Sequence, residues 1–207
     1  MASTRIGGVP RPARYTDDDI LDAALACVAR DGPRVSVADI ADQLHGPVGS
    51  IYHRFSSRDV LMVRLWLRSV GRFQAGLFEL ADTTDPHEAM LAMALHIPQY
   101  CRVNPDEATS LTLYRQDRLL AECPDEVGAT VATMNDAVTA LTADMTRRRY
   151  GRLTKNNQQW VNMATRVAPY GLVRPFLGGP IPRQVDDATA AAADAILRLG
   201  DDPHRTT

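Results

Sequence analysis

The stretch from Ser36 to Asp59 constrains the fold more than any other part of this 207-residue chain. It predicts a short helix, a tight turn at residues 45–47 (HGP), and a second short helix that ends in the aromatic-basic group at residues 52–55 (YHRF). Two short helices joined by a sharp turn can place the second helix in the major groove of DNA. The stretch therefore predicts sequence-specific DNA binding.

The overall charge excludes a globally basic nucleic-acid binder. Lys and Arg total 23 and Asp and Glu total 25, which gives a formal net charge of -2. The basic residues are nevertheless concentrated at the start, where Arg5, Arg11 and Arg14 are accompanied by no acidic residue. Such a segment is either a basic arm that touches phosphates or a minor groove, or a solvated terminus. Both interpretations stay open.

The cysteines and the hydropathy pattern indicate a cellular location. Cys27, Cys101 and Cys123 are far apart and form no C-x-x-C pair, which favours a reducing compartment and buried thiols. No apolar run reaches the roughly 18 residues that a membrane span needs, and no apolar signal region opens the chain. We expect a soluble, cytoplasmic protein with no membrane partner.

Motifs for catalysis and for metal binding are absent from the sequence. It has no G-x-S-x-G, H-E-x-x-H, Walker loop or dinucleotide-binding glycine pattern, so we expect no enzyme activity. His96 and Cys101 are five residues apart, which puts them on different faces of a helix, and no further ligand cluster accompanies them. We therefore expect no metal and no cofactor.

Hydroxyl residues followed by an acid three positions later mark three helix starts. These are Thr16 with Asp19, Ser36 with Asp39, and Ser56 with Asp59. The apolar spacing then predicts helices over 17–30, 37–44 and 48–55, with Ile51 and Phe55 facing inward, and a fourth helix that begins at Ser57.

Proline and glycine divide the rest of the chain into further helical segments. They fall at about 86–103, 106–121, 124–149, 155–176 and 183–199, and no run has the alternation of a strand. We predict an all-α fold with a three-helix helix-turn-helix domain over 1–60, which includes the basic arm, and a helical effector-binding and dimerisation domain over 61–207.

The alanine-rich segment 188–199 suggests how two copies associate. Small side chains let helices approach closely, so this segment and 159–173 can form a bundle between two chains. We predict a homodimer through the last two helices, about 155–176 and 183–199, because two-fold dimers match palindromic DNA sites. The alternative is an ordinary surface helix packed within one chain.

Residues 41–61 (ADQLHGPVGSIYHRFSSRDVL) are similar to the TetR family of bacterial transcriptional regulators. The family pattern is A-x-x-A-G-V-S-x-G-T-L-Y-x-Y-F followed by S/N-K-x-x-L, and the resemblance covers about residues 16–66. Beyond it the chain resembles the family only in length, in helical character and in a helix pair at the end that suits dimerisation.

The chain departs from that pattern in the turn. His45 stands at the usual glycine and Gly46 at the usual valine, which allows the left-handed residue of the turn to shift by one position. Pro47 replaces a polar residue, and we expect it in the first turn of the recognition helix.

The residues expected to contact DNA follow from their places on the second and third helices and at the start of the fourth. They are Ser36, Pro47, Val48, Gly49, Ser50, Tyr52, His53, Arg54 and Arg58. Val48, Gly49 and Ser50 lie at the helix end that meets base edges.

The remaining members of this set suit the DNA backbone. Tyr52, His53 and Arg58 offer groups that bind phosphate, and Arg54 suits phosphate or base. Ser36 caps its helix and can also touch the backbone. The plainer alternatives are that Tyr52 is a partly buried packing residue and that Arg58 is a solvated charge.

The resemblance also implies a variable ligand-binding domain in the second part of the chain. Methionines and aromatic residues at helical spacing are the candidates for an effector pocket, although such residues more often form plain core. They are Met93, His96, Tyr100, Tyr114, Met134, Trp160 and Met163.

The sequence as a whole predicts a regulator that binds palindromic double-stranded operator DNA. Repression is the expected outcome, because a dimer on an operator can block polymerase without other machinery. A small-molecule effector of unknown identity would release it. The alternative is a DNA-binding regulator or architectural protein without a small-molecule effector, switched by a protein partner.

Overall fold

A computed structural model describes residues 15–81 and 84–201, and within these ranges every regular element is helical. The basic arm predicted before Tyr15 lies outside the described residues. The α-helices are, in chain order, Asp17–Asp31 (α1), Val37–Leu44 (α2), Val48–Tyr52 (α3), Arg58–Leu80 (α4), Pro86–Val103 (α5), Pro105–Leu111 (α6), Gln116–Leu119 (α7), Asp125–Thr133 (α8), Asp136–Tyr150 (α9), Lys155–Asn162 (α10), Ala168–Val173 (α11) and Gln184–Leu199 (α12). The all-α prediction is confirmed.

Capping boxes begin α1 and α2, as predicted. The Thr16 hydroxyl accepts a hydrogen bond from the backbone N–H of Asp19 at 3.1 Å, and the Asp19 carboxylate accepts one from the N–H of Thr16 at 2.7 Å. Ser36 and Asp39 repeat the arrangement at 3.2 and 2.7 Å. Hydrogen bonds from the backbone and side chain of each capping residue lower the pKa of Asp19 and of Asp39.

The third predicted capping box is wrong. The N-cap of α4 is Ser57, whose hydroxyl accepts from the N–H of Val60 at 3.1 Å. Helix α4 therefore starts one residue later than a box at Ser56 requires, and Asp59 occupies its second position instead of its third. Ser56 is free to donate its hydroxyl to Glu126 at 2.6 Å.

The turn before α3 keeps its left-handed residue at His45, so the shift to Gly46 that the sequence allows does not occur. His45 has φ 53° and ψ 42°, and Gly46 lies outside the left-handed region. The N–H groups of His45 and Gly46 donate to the carbonyls of Asp42 and Ala41 at 3.1 and 3.0 Å, the bond pattern of a Schellman motif. A shifted turn would lose this pair of bonds.

Helix α3 begins at Val48, as predicted, but ends at Tyr52, three residues earlier than predicted. Pro47 is its N-cap, with extended φ and ψ, and does not lie in its first turn. The helix ends at Tyr52, and the chain becomes extended at Ser57, the N-cap of α4. Phe55 still donates its N–H to the carbonyl of Ile51 at 2.9 Å. Ile51 and Phe55 are fully buried, as predicted.

Two predicted long helices are divided by side chains from elsewhere in the fold. The 106–121 segment becomes α6 and α7, and the Trp66 indole donates to the free carbonyl of Leu111 at 3.3 Å. The 124–149 segment breaks between α8 and α9, where the Gln74 amide donates to Met134 O and Asn135 Oδ1 at 3.2 and 2.9 Å. The two side chains donate to backbone carbonyls that would accept from backbone N–H groups if the helices were continuous.

The 155–176 segment is continuous but irregular. A π-helical turn, Met163–Val167, lies between α10 and α11, and a 3-10 turn, Arg174–Phe176, follows α11. Pro169 explains the wider turn, because proline cannot donate to the helix and its ring conflicts with the carbonyl four residues earlier. The predicted helix over 183–199 is observed as Gln184–Leu199.

Helix α4 connects two hydrophobic cores. Its first half, including Leu61 and Leu65, is buried with α1–α3, and this first core also takes in Leu119, Val127 and Val131 from α7 and α8. Leu77, near its end, belongs to a second core with α5, α9, α10 and α12. No helix of the described chain has the length and apolar character of a membrane span.

We expect the carboxylate of Asp39 to stabilise the fold in a pH-dependent way. Its folded pKa lies below the unfolded value of about 3.9, so its contribution is complete above that pH and is lost as the pH falls through the folded pKa. Asp39→Asn should unfold at lower urea concentration than the native chain at pH 6, and the difference should shrink below about pH 4. The exposed Asp42→Asn on the same helix is the control, and a difference for Asp39→Asn that stays constant with pH would contradict this cap.

Candidate DNA-binding surface

One side of α3 is buried and the other is open to solvent. Ile51 faces the first core, whereas Val48 is 38% exposed and Tyr52 is 51% exposed. Gly49 and His53 are also exposed, and Ser50 is half-buried. The predicted base-contacting residues thus lie at the accessible N-terminal end of the helix.

Gly49 is not required by packing within the chain. A Cβ built at this position would meet no atom within 4 Å, and its φ is not in the left-handed region. The open space beside the backbone suits close approach of another molecule. Val48 can pack against a thymine methyl, and the Ser50 hydroxyl can donate or accept a hydrogen bond.

Ser36 is exposed at the start of α2, where its hydroxyl both accepts from the N–H of Asp39 and donates to the Asp39 carboxylate at 2.7 Å. Capping is therefore its role within the chain, as predicted. Pro47, also exposed, ends the turn and begins α3.

Arg54 forms an ion pair within the chain. Its Nη1 binds Oδ1 of Asp17, in the first turn of α1, and about a quarter of its side chain (27%) is exposed. The pair ties the end of α3 to the start of α1. Arg54 is therefore held in place before any DNA arrives.

Arg58 spans from α4 to the connection between α1 and α2. Its Nε donates to the carbonyl of Val35 at 2.7 Å and its Nη2 donates to the carbonyl of Pro33 at 2.6 Å. Its Nη1 lies 3.6 Å from Asp59. Arg58 is thus more than a solvated charge, because it holds the α1–α2 connection against the start of α4.

Sequence reasoning missed two residues that support this surface. Tyr15 donates its hydroxyl to the carbonyl of His45 at 2.8 Å. Glu126, on α8, accepts from Ser56 at 2.6 Å and from Arg64 at 2.7 Å, and these bonds lower its pKa. Gly46 in place of valine was a signal for a bulky neighbour such as Tyr15, whereas the sequence carries no signal for Glu126.

The seven predicted pocket residues are distributed over several helices and do not all pack against the same core. His96 and Tyr100 are together, with ring centroids 5.5 Å apart, and His96 Nε2 lies 2.9 Å from the carbonyl of Phe73. Burial raises the pKa of Tyr100 to about 12. Met93 lies in the second core, whereas Tyr114 and Met134 pack against the first.

The last two predicted pocket residues follow each other closely along the chain. Trp160 lies in α10, and its indole Nε1 is buried with no hydrogen-bond partner among the described residues. Met163 begins the π-helical turn. A shallow surface depression of about 630 Å³ lies elsewhere, lined by Phe78, Glu79, Ala81 and Leu141. None of these four is among the seven.

The described residues include no group of three or more His, Cys, Asp or Glu side chains placed to hold a metal ion. The side chains exposed near α3 carry hydroxyl, phenol and imidazole groups beside a short helix end, and such groups bind phosphate oxygens in protein–DNA interfaces.

Comparisons with known proteins agree with this geometry. Residues 20–65 match the family model described as bacterial regulatory proteins, tetR family. No curated protein sequence matches the chain.

Solved structures share the fold over most of the chain. A transcriptional regulator from Rhodococcus sp. Rha1 has a TM-score of 0.70 at 17% identity, covering 89% of this chain and 97% of that one. The TetR family regulator PfmR from Thermus thermophilus has a TM-score of 0.67 at 18% identity, and the match covers 86% of this chain and 97% of that one. The ketosteroid transcriptional regulator KstR2 of Mycobacterium tuberculosis has a TM-score of 0.65 at 18% identity, and the match covers 90% of this chain and 95% of that one.

At these identities the likeness concerns the fold alone, and the match over residues 20–65 concerns the DNA-binding segment. The chain thus carries, over residues 20–65, the DNA-binding segment that the tetR family model describes, and it shares its overall fold with solved transcriptional regulators.

Proposed function

We propose that the protein is a repressor that binds a palindromic operator as a homodimer and is released by a small-molecule effector. The observation that carries this proposal is the exposed N-terminal end of α3, anchored by the buried Ile51 and Phe55. A rigid helix end that projects from a packed domain can enter a major groove, and a two-fold pair can enter two successive ones.

We assign base contacts to Val48, Gly49 and Ser50 and backbone contacts to Tyr52 and His53. The first three lie at the accessible helix end, and the other two are exposed with groups that bind phosphate oxygens. Ser36 and Pro47, at the starts of α2 and α3, complete the surface.

Arg54 and Arg58 have additional roles within the chain in this proposal. Arg54 pairs with Asp17, and Arg58 already donates to two backbone carbonyls. We propose that each contributes positive charge at the DNA backbone while its main hydrogen bonds stay within the domain. The Asp17 carboxylate offsets part of that charge at Arg54.

The proposed division of labour places DNA binding in the N-terminal part of the chain and effector binding and dimerisation in the rest. A DNA-binding domain over 1–60, with the basic arm, precedes an effector-binding and dimerisation domain over 61–207. The first core reaches beyond residue 60 to Trp66 in α4 and to α7 and α8, so the two domains are closely packed. Arg5, Arg11 and Arg14 of the arm would add phosphate contacts.

Exposed apolar side chains on the last helices support dimerisation there. Val167 is 53% exposed and Tyr170 is 45% exposed, directly before and within α11. Ala188 and Ala191 are exposed on α12 while the opposite face, with Val185 and Leu197, is buried within the chain. These residues lie in the segments predicted to form the interface, 155–176 and 183–199.

Unpartnered polar atoms support an effector site near α10 and α12. Both amide atoms of Asn157, the indole Nε1 of Trp160 and the hydroxyl of Thr189 are buried with no hydrogen-bond partner among the described residues. Asn157 and Trp160 are one turn apart on α10. Buried polar groups are normally paired, so a ligand with a donor and an acceptor would suit this set. Met93, His96, Tyr100, Tyr114, Met134 and Met163, which do not all pack against the same core, stay predicted pocket residues.

Effector release would be a two-state process. The two states are one that binds the operator and one that does not. The ligand shifts the equilibrium between them only through its different affinity for each. Helix α4 spans both cores, so its displacement changes the separation of the two recognition helices, which DNA binding requires to be about 34–36 Å. Repression follows from occupation of the operator, in the cytoplasm where bacterial DNA lies.

The direct test of DNA recognition is selection from random double-stranded DNA at fixed salt, because phosphate contacts make affinity strongly salt-dependent. We expect enrichment of a palindrome whose half-sites lie about one helical turn apart. Recovery of no palindrome would contradict the proposed function.

Single substitutions on the surface should separate the assigned roles. Tyr52→Ala should weaken binding to all sequences by about tenfold and leave the thermal midpoint unchanged, because the side chain is exposed. Ser50→Ala should alter base preference at one half-site position.

Arg58→Ala should also destabilise the fold by about 1 kcal/mol, since two backbone carbonyls lose their donor, one of them exposed to solvent. Equal effects of all three on affinity, preference and midpoint would contradict these roles.

The proposed dimer interface can be tested with a charge. Tyr170→Asp should convert the dimer to a monomer in light scattering and reduce operator affinity, because a carboxylate would be buried in the apolar contact. Val103→Asp is the matched control, since Val103 is 76% exposed and lies on α5. A Tyr170→Asp protein that remains dimeric would place the interface elsewhere.

A further inference from the structure

Tyr15 contacts the turn that leads into the recognition helix, although it is 30 residues away along the chain. It directly precedes Thr16, the N-cap of α1. Its phenol donates to the carbonyl of His45 at 2.8 Å, and its ring packs against the first core. The side chain therefore connects the start of α1 with the end of α2.

The ring of Tyr15 also occupies the space beside Gly46. A Cβ built on Gly46 would lie 2.8 Å from Cε2 and 2.9 Å from Cζ of the ring, closer than Cβ atoms approach other atoms. Gly46 is not in the left-handed region, so its backbone does not require glycine. The glycine is required by the close approach of Tyr15.

The two residues that Tyr15 contacts determine how the chain enters α3. His45 is the only non-glycine residue with positive φ in the described part of the chain, and Tyr15 holds its carbonyl. Gly46 comes next, and then Pro47, the N-cap of α3. A change in either of the first two would alter the direction in which α3 leaves the turn.

We propose that Tyr15 is a positioning residue for DNA recognition, and that it acts through His45 and Gly46 on the orientation of α3. The inference rests on the proposed function, in which α3 contacts bases. Base contacts need the helix in one orientation, whereas non-specific binding depends mainly on phosphate charge. Loss of Tyr15 should therefore reduce sequence discrimination more than it reduces non-specific binding.

A size-exchange experiment tests this role. The proteins are the native chain, Tyr15→Ala, Gly46→Val, the double variant Y15A/G46V, and Tyr15→Phe. The first single variant leaves a void and the second introduces a clash, whereas in the double variant the valine can occupy the space that the ring has left. Tyr15→Phe keeps the ring and loses only the bond to His45.

The readouts are affinity for the operator selected by the native chain, affinity for non-specific DNA at the same salt, and the thermal midpoint. We expect each of the two single variants to lose about tenfold or more in operator affinity, with non-specific affinity within about twofold of native. The double variant should recover most of that loss, and Tyr15→Phe should lose only about threefold.

Three results would overturn the proposal. One is native operator affinity in Tyr15→Ala. Another is a double variant whose loss is the product of the two single losses, because that would show no coupling between the positions. The third is an equal loss of specific and non-specific affinity with a lowered midpoint, which indicates a purely structural role. If the native chain itself selects no DNA, the proposed function fails as well.

Discussion

Burial of Ile51 and Phe55 is the interaction on which the proposed DNA-binding surface depends. Helix α3 has only five residues, and a helix of that length does not persist in water by its own hydrogen bonds. Both side chains are fully buried in the first core, so α3 is held by packing and not by helix propensity. The same packing directs Val48 and Tyr52 outward. The same short helix therefore contributes its buried positions to the core and its exposed positions to the proposed binding surface.

Contacts from outside the helix-turn-helix hold this short helix further. Asp17 of α1 binds Arg54, and Glu126 of α8 binds Ser56, which follows directly after Phe55. Helix α6 joins α4 through an ion pair of Arg72 with Glu107 and through a hydrogen bond of 2.9 Å from the buried Ser69 to Ser110. A displacement of α8 would therefore act directly on the residue that follows Phe55, whereas a displacement of α6 would act through α4.

Features that depend on neighbours in the sequence were predictable. The capping boxes at Thr16 and Ser36, the extents of α1 and α2, and the burial of Ile51 and Phe55 follow from local hydrogen bonding and apolar spacing. The start of α5, where the Asp85 carboxylate accepts from two backbone N–H groups, has the same local origin.

Features set by distant side chains were not predictable. The breaks after α6 and α8 depend on Trp66 and Gln74, which supply donors to carbonyls more than 40 residues away. His45 stays left-handed because the Schellman bonds and Tyr15 hold it there. Met93 lies in the second core whereas Tyr114 and Met134 pack against the first, because methionine and aromatic spacing indicates burial and does not specify which core.

The central claim is that α3 is already rigid in the free protein, because its buried residues and supporting contacts fix it before DNA binds. Native-state hydrogen exchange of individual amides tests this directly. The N–H of Phe55, bonded to the carbonyl of Ile51 at 2.9 Å, should exchange about as slowly as the N–H groups of Ile20 and Ile40 in α1 and α2. Exchange of Phe55 at the rate of an unprotected amide, while Ile20 and Ile40 remain protected, would contradict the account.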